Sequence, residues 1–173
     1  SGPVHGRTPA GVKHIHVETA RQMYEATINN LPCDIAVFTA AVADWRPTHT
    51  AKQKMKKSTD APSAIELTEN PDILKKVSNL APGERPKLVI GFAAETESIQ
   101  QNSVSKWERK NCDWLVANDV SGSDRQVMGG TQNKVTILRR NKKEVFIDWS
   151  DKNEIAKSII QLVHEWVVEN DQS

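Results

Sequence analysis

Three short apolar runs, separated by segments with helical periodicity, constrain the fold of this chain more than any other feature. The runs are residues 34–40 (DIAVFTA), 87–92 (KLVIGF) and 114–117 (WLVA). Short runs rich in β-branched residues are typical of strands buried in a parallel sheet. Helices are predicted at 17–30 and 97–110, and another follows Asn70-Pro71. Strands and helices therefore alternate, which predicts an α/β fold.

The remaining segments predict how this sheet is extended. Residues 41–64 are predicted to be a loop because two prolines interrupt them, and a short strand is predicted at 65–67. A hairpin over 134–149, turning at Asn141-Lys142, precedes a final helix at about 151–169. The pattern predicts a Rossmann-like, mostly parallel sheet flanked by helices, with an antiparallel hairpin extension.

The composition is that of one domain over residues 1–173. The 173 residues are 38% hydrophobic and 26% charged, and the net charge of +1 provides no overall field to attract nucleic acid. No apolar run approaches the roughly 20 residues of a membrane span. Cys33 and Cys112 are far apart and are expected to be reduced thiols of a cytoplasmic protein. The opening Ser-Gly-Pro is typical of chain that follows a strand, so we expect the domain to lack its N-terminal strand region.

Four short patches are the candidate functional segments. They are residues 40–47 (AAVADWRP), 54–57 (KMKK), 69–74 (ENPDIL) and 91–96 (GFAAET). Each lies near the end of a predicted strand or the start of a predicted helix, where open α/β sheets bind ligands. The lysine-rich patch and the helix N-terminus both suit a polyanion. The patches together predict a nucleotide triphosphate site that has no Walker loop.

Each patch also has an ordinary structural interpretation. Asp44 can accept a hydrogen bond from an exocyclic amine or help to hold magnesium, but a loop aspartate often satisfies local N–H groups. Asn70, with Pro71 at the first helical position, is predicted to cap a helix whose free N–H groups can hold phosphate. The Phe92 ring suits a wall for a base or sugar, or a place in the core.

The lysines are open to two interpretations as well. Lys54 lies in a run of four lysines within six residues, which suits triphosphate oxygens or a solvated loop. Lys106 and Lys110 are spaced i and i+4 on one predicted helix, so they share a face. They can reach one phosphate together or simply face solvent.

In this order and spacing, the patches resemble the bacterial phosphopantothenoylcysteine synthetase (phosphopantothenate–cysteine ligase) family. The resemblance begins at residues 1–4 (SGPV), runs through the four patches and residues 117–120 (ANDV), and covers nearly the whole chain. In many bacteria this enzyme is the C-terminal half of a bifunctional coenzyme A biosynthesis protein. A flavin-dependent decarboxylase domain would then precede it in the full-length protein.

The resemblance implies an activity and a set of site residues. The family activates the carboxylate of 4′-phosphopantothenate with CTP and Mg²⁺, releasing pyrophosphate, and cysteine then attacks the acyl-cytidylate and expels CMP. By resemblance, Asp44 reads cytosine, Lys54 contacts the triphosphate and supports catalysis, and Ala40 and Ala41 line the reacting centre. The further nucleotide-binding residues are Asn70, Pro71, Asp72, Ile73, Phe92, Lys106 and Lys110. The metal ligands are not identified.

The resemblance also implies features beyond the single site. The loop at 119–132 would cover the acyl-cytidylate, and the family's N-terminal strand, whose asparagine serves the second step, would precede Ser1. The family is dimeric. The hairpin, with Val135, Ile137, Val145 and Ile147 alternating, is predicted either to pair across a two-fold axis or to be a sheet edge within one subunit.

Two other functions are weighed against this one. An NAD(P)-binding oxidoreductase needs a phosphate-binding glycine turn and a catalytic Tyr/Lys pair. The sequence has no G-x-G-x-x-G, and its one tyrosine, Tyr24, has no lysine at i+4. A non-catalytic oligomerisation fragment is the third interpretation. P-loop kinases and G-x-S-x-G esterases are excluded because neither motif occurs.

Overall fold

A computed structural model describes residues 1–2, 8–49, 64–95, 99–119 and 130–171. The four helices and seven strands of this described part alternate as the sequence predicts. In chain order they are α1 (Ala20–Ile28), β1 (Ile35–Phe38), β2 (Trp45–Pro47), β3 (Leu67–Glu69), α2 (Ile73–Ser78), β4 (Leu88–Glu95), α3 (Ile99–Lys110), β5 (Trp114–Asp119), β6 (Gln132–Arg139), β7 (Val145–Asp151) and α4 (Lys152–Asn170).

The main sheet has five strands in the order β1-β4-β5-β6-β7. The first three strands are parallel, with Phe38 beside Gly91 and Phe92 beside Val116. Strands β6 and β7 continue the sheet in antiparallel pairing. The prediction of an α/β sheet with an antiparallel hairpin extension is therefore confirmed. Parallel strands need long crossovers, and the crossover from β1 to β4 contains β2, β3 and α2.

Two apolar clusters pack on opposite faces of this sheet. On one face, Ile155 and Ile159 of α4 pack against Leu88 and Ile90 of β4. On the other face, side chains of α1, α2 and α3 pack against β4 residues of opposite parity, such as Val89. Successive side chains of a strand point to opposite faces, so β4 supplies both clusters. Helices thus cover both faces, as expected for a sheet built from parallel crossovers.

The hairpin strands contribute their alternating residues to the subunit's own core. Val135 and Ile137 of β6 are buried, and Val145 and Ile147 of β7 pack against the same cluster beneath α4. This is the predicted edge hairpin within one subunit, and these four side chains are not available for pairing across a two-fold axis. The opposite side of β7 exposes Phe146.

The structure corrects the prediction that residues 41–64 are entirely loop. Residues 45–47 form strand β2, which pairs antiparallel with β3, placing Trp45 beside Glu69 and Pro47 beside Leu67. A proline is tolerated here because a two-stranded ribbon leaves N–H positions outside the ladder. Strand β3 also begins two residues later than the predicted start at 65. No helix in the described part is long and apolar enough to cross a membrane.

Candidate functional site

The chain that leaves β1 carries the first group of predicted site residues. Ala40 and Ala41 are exposed just beyond the carboxyl end of β1, and a bond of 3.1 Å from the Val42 N–H to the Ala40 carbonyl turns the chain. Asp44 follows, also exposed. Small side chains at 40 and 41 leave the backbone open to a ligand, and the Asp44 carboxylate lies nearby in the sequence.

Asn70 joins this segment to the start of α2. Its backbone N–H donates to the Asp44 carbonyl at 2.7 Å, and its Nδ2 donates to the Ala43 carbonyl at 2.8 Å. Two patches that are 26 residues apart in sequence numbering, at 44 and 70, are therefore in direct contact. The structure brings together Asp44 and the turn at 70–72, as a common ligand site requires.

The predicted helix cap is wrong by two residues. The N-cap of α2 is Asp72, whose Oδ1 accepts from the Lys75 N–H at 3.1 Å, and the helix begins at Ile73 rather than at Pro71. Asn70 does not cap the helix because its carboxamide is bonded to the Ala43 segment. The Ile73 side chain is buried in the core, so only its backbone can face a ligand.

Lys110 is engaged with the cap of α2. Its Nζ lies 2.5 Å from Asp72 Oδ2, and the lysine side chain is only 19% exposed. The Asp72 carboxylate thus accepts from the helix N-terminus and from an ammonium at once, which fixes the turn before α2 against α3. Lys106 lies one helical turn earlier on α3 and is half-buried. A phosphate role for Lys110 would require its ammonium to serve Asp72 and a ligand together.

Phe92 faces the other side of the sheet from α2. Its ring is half-buried against the cluster beneath α4, whereas Ile73 and Leu74 of α2 belong to the cluster on the opposite face. Phe92 still lies in the carboxyl-terminal half of β4. Lys54, Thr96 and residues 120–129 of the predicted covering loop lie outside the described residues.

The sequence interpretation gave no role to Arg46, although the motif that contains it was singled out. Its Nη1 donates to the Glu69 carbonyl and, at 3.1 Å, to Asn70 Oδ1. The signal available in the sequence was a lone arginine directly before Pro47, in a patch otherwise rich in alanine. Within the described part, no group of three or more His, Cys, Asp or Glu side chains is placed to hold a metal ion.

A cavity of about 440 Å³ lies at the opposite edge of the sheet, where β4 and β5 begin. Two tryptophans and several basic side chains line it. Its carboxylates already have partners: Asp113 accepts from Arg85 Nη2 at 2.8 Å, and Glu169 lies 2.8 Å from Lys142 Nζ. Because it is at the far ends of the strands from Asp44 and Asn70, it is separate from the candidate site.

Comparison with known proteins relates residues 1–167 to the family described as the DNA/pantothenate metabolism flavoprotein C-terminal domain. The coenzyme A biosynthesis bifunctional protein CoaBC of Vibrio cholerae is 37% identical over 167 residues, which are 95% of this chain and 41% of that protein. The CoaBC protein of Haemophilus influenzae is 38% identical over 166 residues, 95% of this chain and 40% of the relative.

A solved structure agrees with the sequence relatives. The crystal structure of the C-terminal domain of a CoaBC protein superposes with a TM-score of 0.74 at 29% identity, covering 98% of this chain and 73% of that one. The chain therefore spans about two fifths of the length of the bifunctional relatives and most of a domain solved separately.

Proposed function

The chain belongs to the family of DNA/pantothenate metabolism flavoprotein C-terminal domains, and we propose that it acts as a ligase domain of coenzyme A biosynthesis. It joins 4′-phosphopantothenate to L-cysteine at the expense of CTP, giving phosphopantothenoylcysteine, CMP and pyrophosphate. The names of the V. cholerae and H. influenzae relatives support the pathway. Because this chain matches only 41% of the V. cholerae protein, we propose that a flavin-dependent decarboxylase domain is fused to it, in the cytoplasm.

The contact between Asn70 and the Asp44 segment is the observation that carries this proposal. The 2.7 Å and 2.8 Å bonds hold two separate polar patches at the carboxyl ends of parallel strands, the usual position of ligands in such sheets. The exposed Asp44 carboxylate is suited to accept from the exocyclic amine of cytosine, which uracil lacks. The proposed role of Asp44 is therefore to select the base.

The chemistry suits a site made of positioned polar groups. In the first step a carboxylate oxygen of phosphopantothenate attacks the α-phosphorus of CTP, and the bond to the pyrophosphate oxygen breaks. In the second step the cysteine amine attacks the acyl carbonyl, loses a proton, and expels CMP. Neither step needs a nucleophile from the protein. Holding the reactants in line, with cations against the developing charge, supplies the acceleration.

Magnesium fits a site with few protein carboxylates. Mg²⁺ keeps several waters and is usually bound through substrate phosphates and one or two carboxylates, so no cluster of acidic side chains is needed. The described part has no such cluster, and it offers Asp44 as an exposed carboxylate at this edge. When bound, the ion would neutralise triphosphate charge that otherwise repels the incoming carboxylate.

Thermal unfolding with added ligand tests the proposal against its two alternatives. CTP with Mg²⁺ should raise the midpoint temperature, since ligand at 100 times Kd adds about 2.7 kcal/mol to the free energy of unfolding. NADPH should leave it unchanged. Stabilisation by NADPH alone would favour the oxidoreductase, and a response to neither ligand would favour the oligomerisation fragment.

Asp44→Asn tests the proposed base selection. An amide can donate to the uracil carbonyl as well as accept from the cytosine amine. The variant should therefore bind CTP about tenfold more weakly and lose most of its preference for CTP over UTP. Asp148→Asn, an exposed aspartate on β7, is the matched control and should behave as wild type. An unchanged CTP/UTP ratio in Asp44→Asn would remove Asp44 from base recognition.

We also propose that the chain forms a homodimer, as its resemblance to a dimeric family implies. Val135, Ile137, Val145 and Ile147 are engaged in the subunit's own core, so a different surface must provide the interface. Sedimentation equilibrium of the purified chain should give twice the 19.3 kDa chain mass. A monomer at concentrations of about 100 times those used in the assays would contradict this proposal.

A further inference from the structure

Arg46 lies between the two segments that form the candidate site. It is half-buried in the middle of β2, opposite Thr68 of β3. Its Nη1 donates to the backbone carbonyl of Glu69 and to Asn70 Oδ1, the latter at 3.1 Å. Arg46 therefore contacts the residue that contacts the Asp44 segment, and it approaches that residue from the strand that follows Asp44.

These bonds leave the Asn70 carboxamide little freedom to turn. Its oxygen accepts from Arg46, and its nitrogen donates to the Ala43 carbonyl at 2.8 Å. A flipped carboxamide would face the guanidinium with N–H groups and the Ala43 carbonyl with an oxygen, losing both bonds. The backbone N–H of Asn70 closes the network on the Asp44 carbonyl at 2.7 Å.

We infer that Arg46 is a positioning residue of the candidate site: it orients the Asn70 carboxamide and thereby sets where Asp44 lies relative to the turn at 70–72. This inference rests on the proposed function for the identity of the ligand. Arginine is suited to this task because its planar guanidinium has fixed donors and remains charged. A lysine keeps the charge but offers one compact ammonium, which matches the two acceptors less well.

The first test measures the network without any ligand. Hydrogen exchange of the Asn70 backbone N–H, followed by NMR, should be at least tenfold faster in Arg46→Ala than in wild type, and intermediate in Arg46→Lys. Arg21→Ala, an exposed arginine on α1, is the control and should leave that rate unchanged. An exchange rate in Arg46→Ala within twofold of wild type overturns the inference. If Arg46→Ala does not fold, Arg46→Lys decides by the same criterion.

The second test measures what a purely structural role would not change. If Arg46 sets the position of Asp44, Arg46→Ala should bind CTP about tenfold more weakly and discriminate less between CTP and UTP, with Arg46→Lys recovering part of both. Loss of stability alone would leave the CTP/UTP ratio as in wild type, and that result overturns the inference. Failure of the wild-type chain to bind CTP would refute the proposed function, while the exchange measurement would still decide the role of Arg46.

Discussion

Replacing Gly91 with alanine will force apart β4 and α2, which packs directly over it. A Cβ at position 91 would lie 2.5 Å from Leu74 Cδ2 and 3.3 Å from Leu115 Cδ1. Carbon atoms in good contact are about 3.5–4.0 Å apart, so the Leu74 side chain must move by about 1 Å. Leu74 belongs to the packed cluster on that face, so its displacement also affects α2 and the turn before it.

The cost follows from two opposing effects. Overpacking a core by one methyl group costs about 1–3 kcal/mol of the free energy of unfolding. Alanine also restricts the unfolded chain, which returns about 0.4–1 kcal/mol. The net loss expected for Gly91→Ala is about 1–2 kcal/mol. In a Leu74→Ala background the clash is absent and the new methyl group fills part of the cavity, so the same substitution should stabilise by about 0.5–1 kcal/mol.

Urea unfolding of wild type, both single variants and the double variant measures this reversal of sign. Leu80→Ala is the matched control, because Leu80 packs in the same cluster but is not among the atoms nearest to the new Cβ. Its effect should add to that of Gly91→Ala within about 0.5 kcal/mol. Simple additivity of Gly91→Ala and Leu74→Ala would show that the glycine does not govern the approach of α2.

Three other predictions concern groups outside this contact. Arg85→Ala removes the partner 2.8 Å from the half-buried Asp113 carboxylate, and urea unfolding should show a loss of about 2–3 kcal/mol; a loss below 0.5 would mean that solvent replaces the arginine. Lys110→Ala should cost about 1–2 kcal/mol, and a double-mutant cycle with Asp72→Asn should show coupling; strictly additive losses would mean that the 2.5 Å pair contributes nothing. Burial raises the pKa of the Cys112 thiol from 9.0 to about 11, so the unfolded state loses this proton first and stability should fall as pH rises from about 9 to 11. Cys112→Ala should show a smaller decline over that range, and an equal decline would exclude the thiol as its cause.

Local patterns predicted the strands and helices well because those elements depend mainly on nearby residues. The run at 34–40 contains β1, and the apolar positions of the last predicted helix are those that pack beneath β4 in α4. The alternation in the hairpin was also real. It revealed an apolar face but not the partner of that face, which is α4 of the same chain rather than a second subunit.

The errors in the site have a common cause in contacts between distant segments. Asn70 is a good capping residue by its type, but its carboxamide is bonded to Ala43, 27 positions away, and Asp72 caps the helix instead. Strand β2 exists because it finds a partner in β3, across more than 20 residues. Similarly, nothing local determines that Phe92 faces α4 rather than α2. Sequence patterns indicated which segments belong to the site, but not how their side chains are arranged.

The two cations that the structure places at this turn are both engaged with the protein itself. Arg46 binds Asn70, and Lys110 binds Asp72. If the proposed function is right, most of the triphosphate charge must then be met by other groups, and the lysine run that contains Lys54 is the strongest candidate in the sequence. Lys54→Ala should therefore weaken CTP binding far more than CMP binding, because CMP lacks the outer phosphates. Arg46→Ala should weaken both alike, since its effect is on the base. Equal losses of CTP and CMP in Lys54→Ala, measured by calorimetry, would contradict this division of roles.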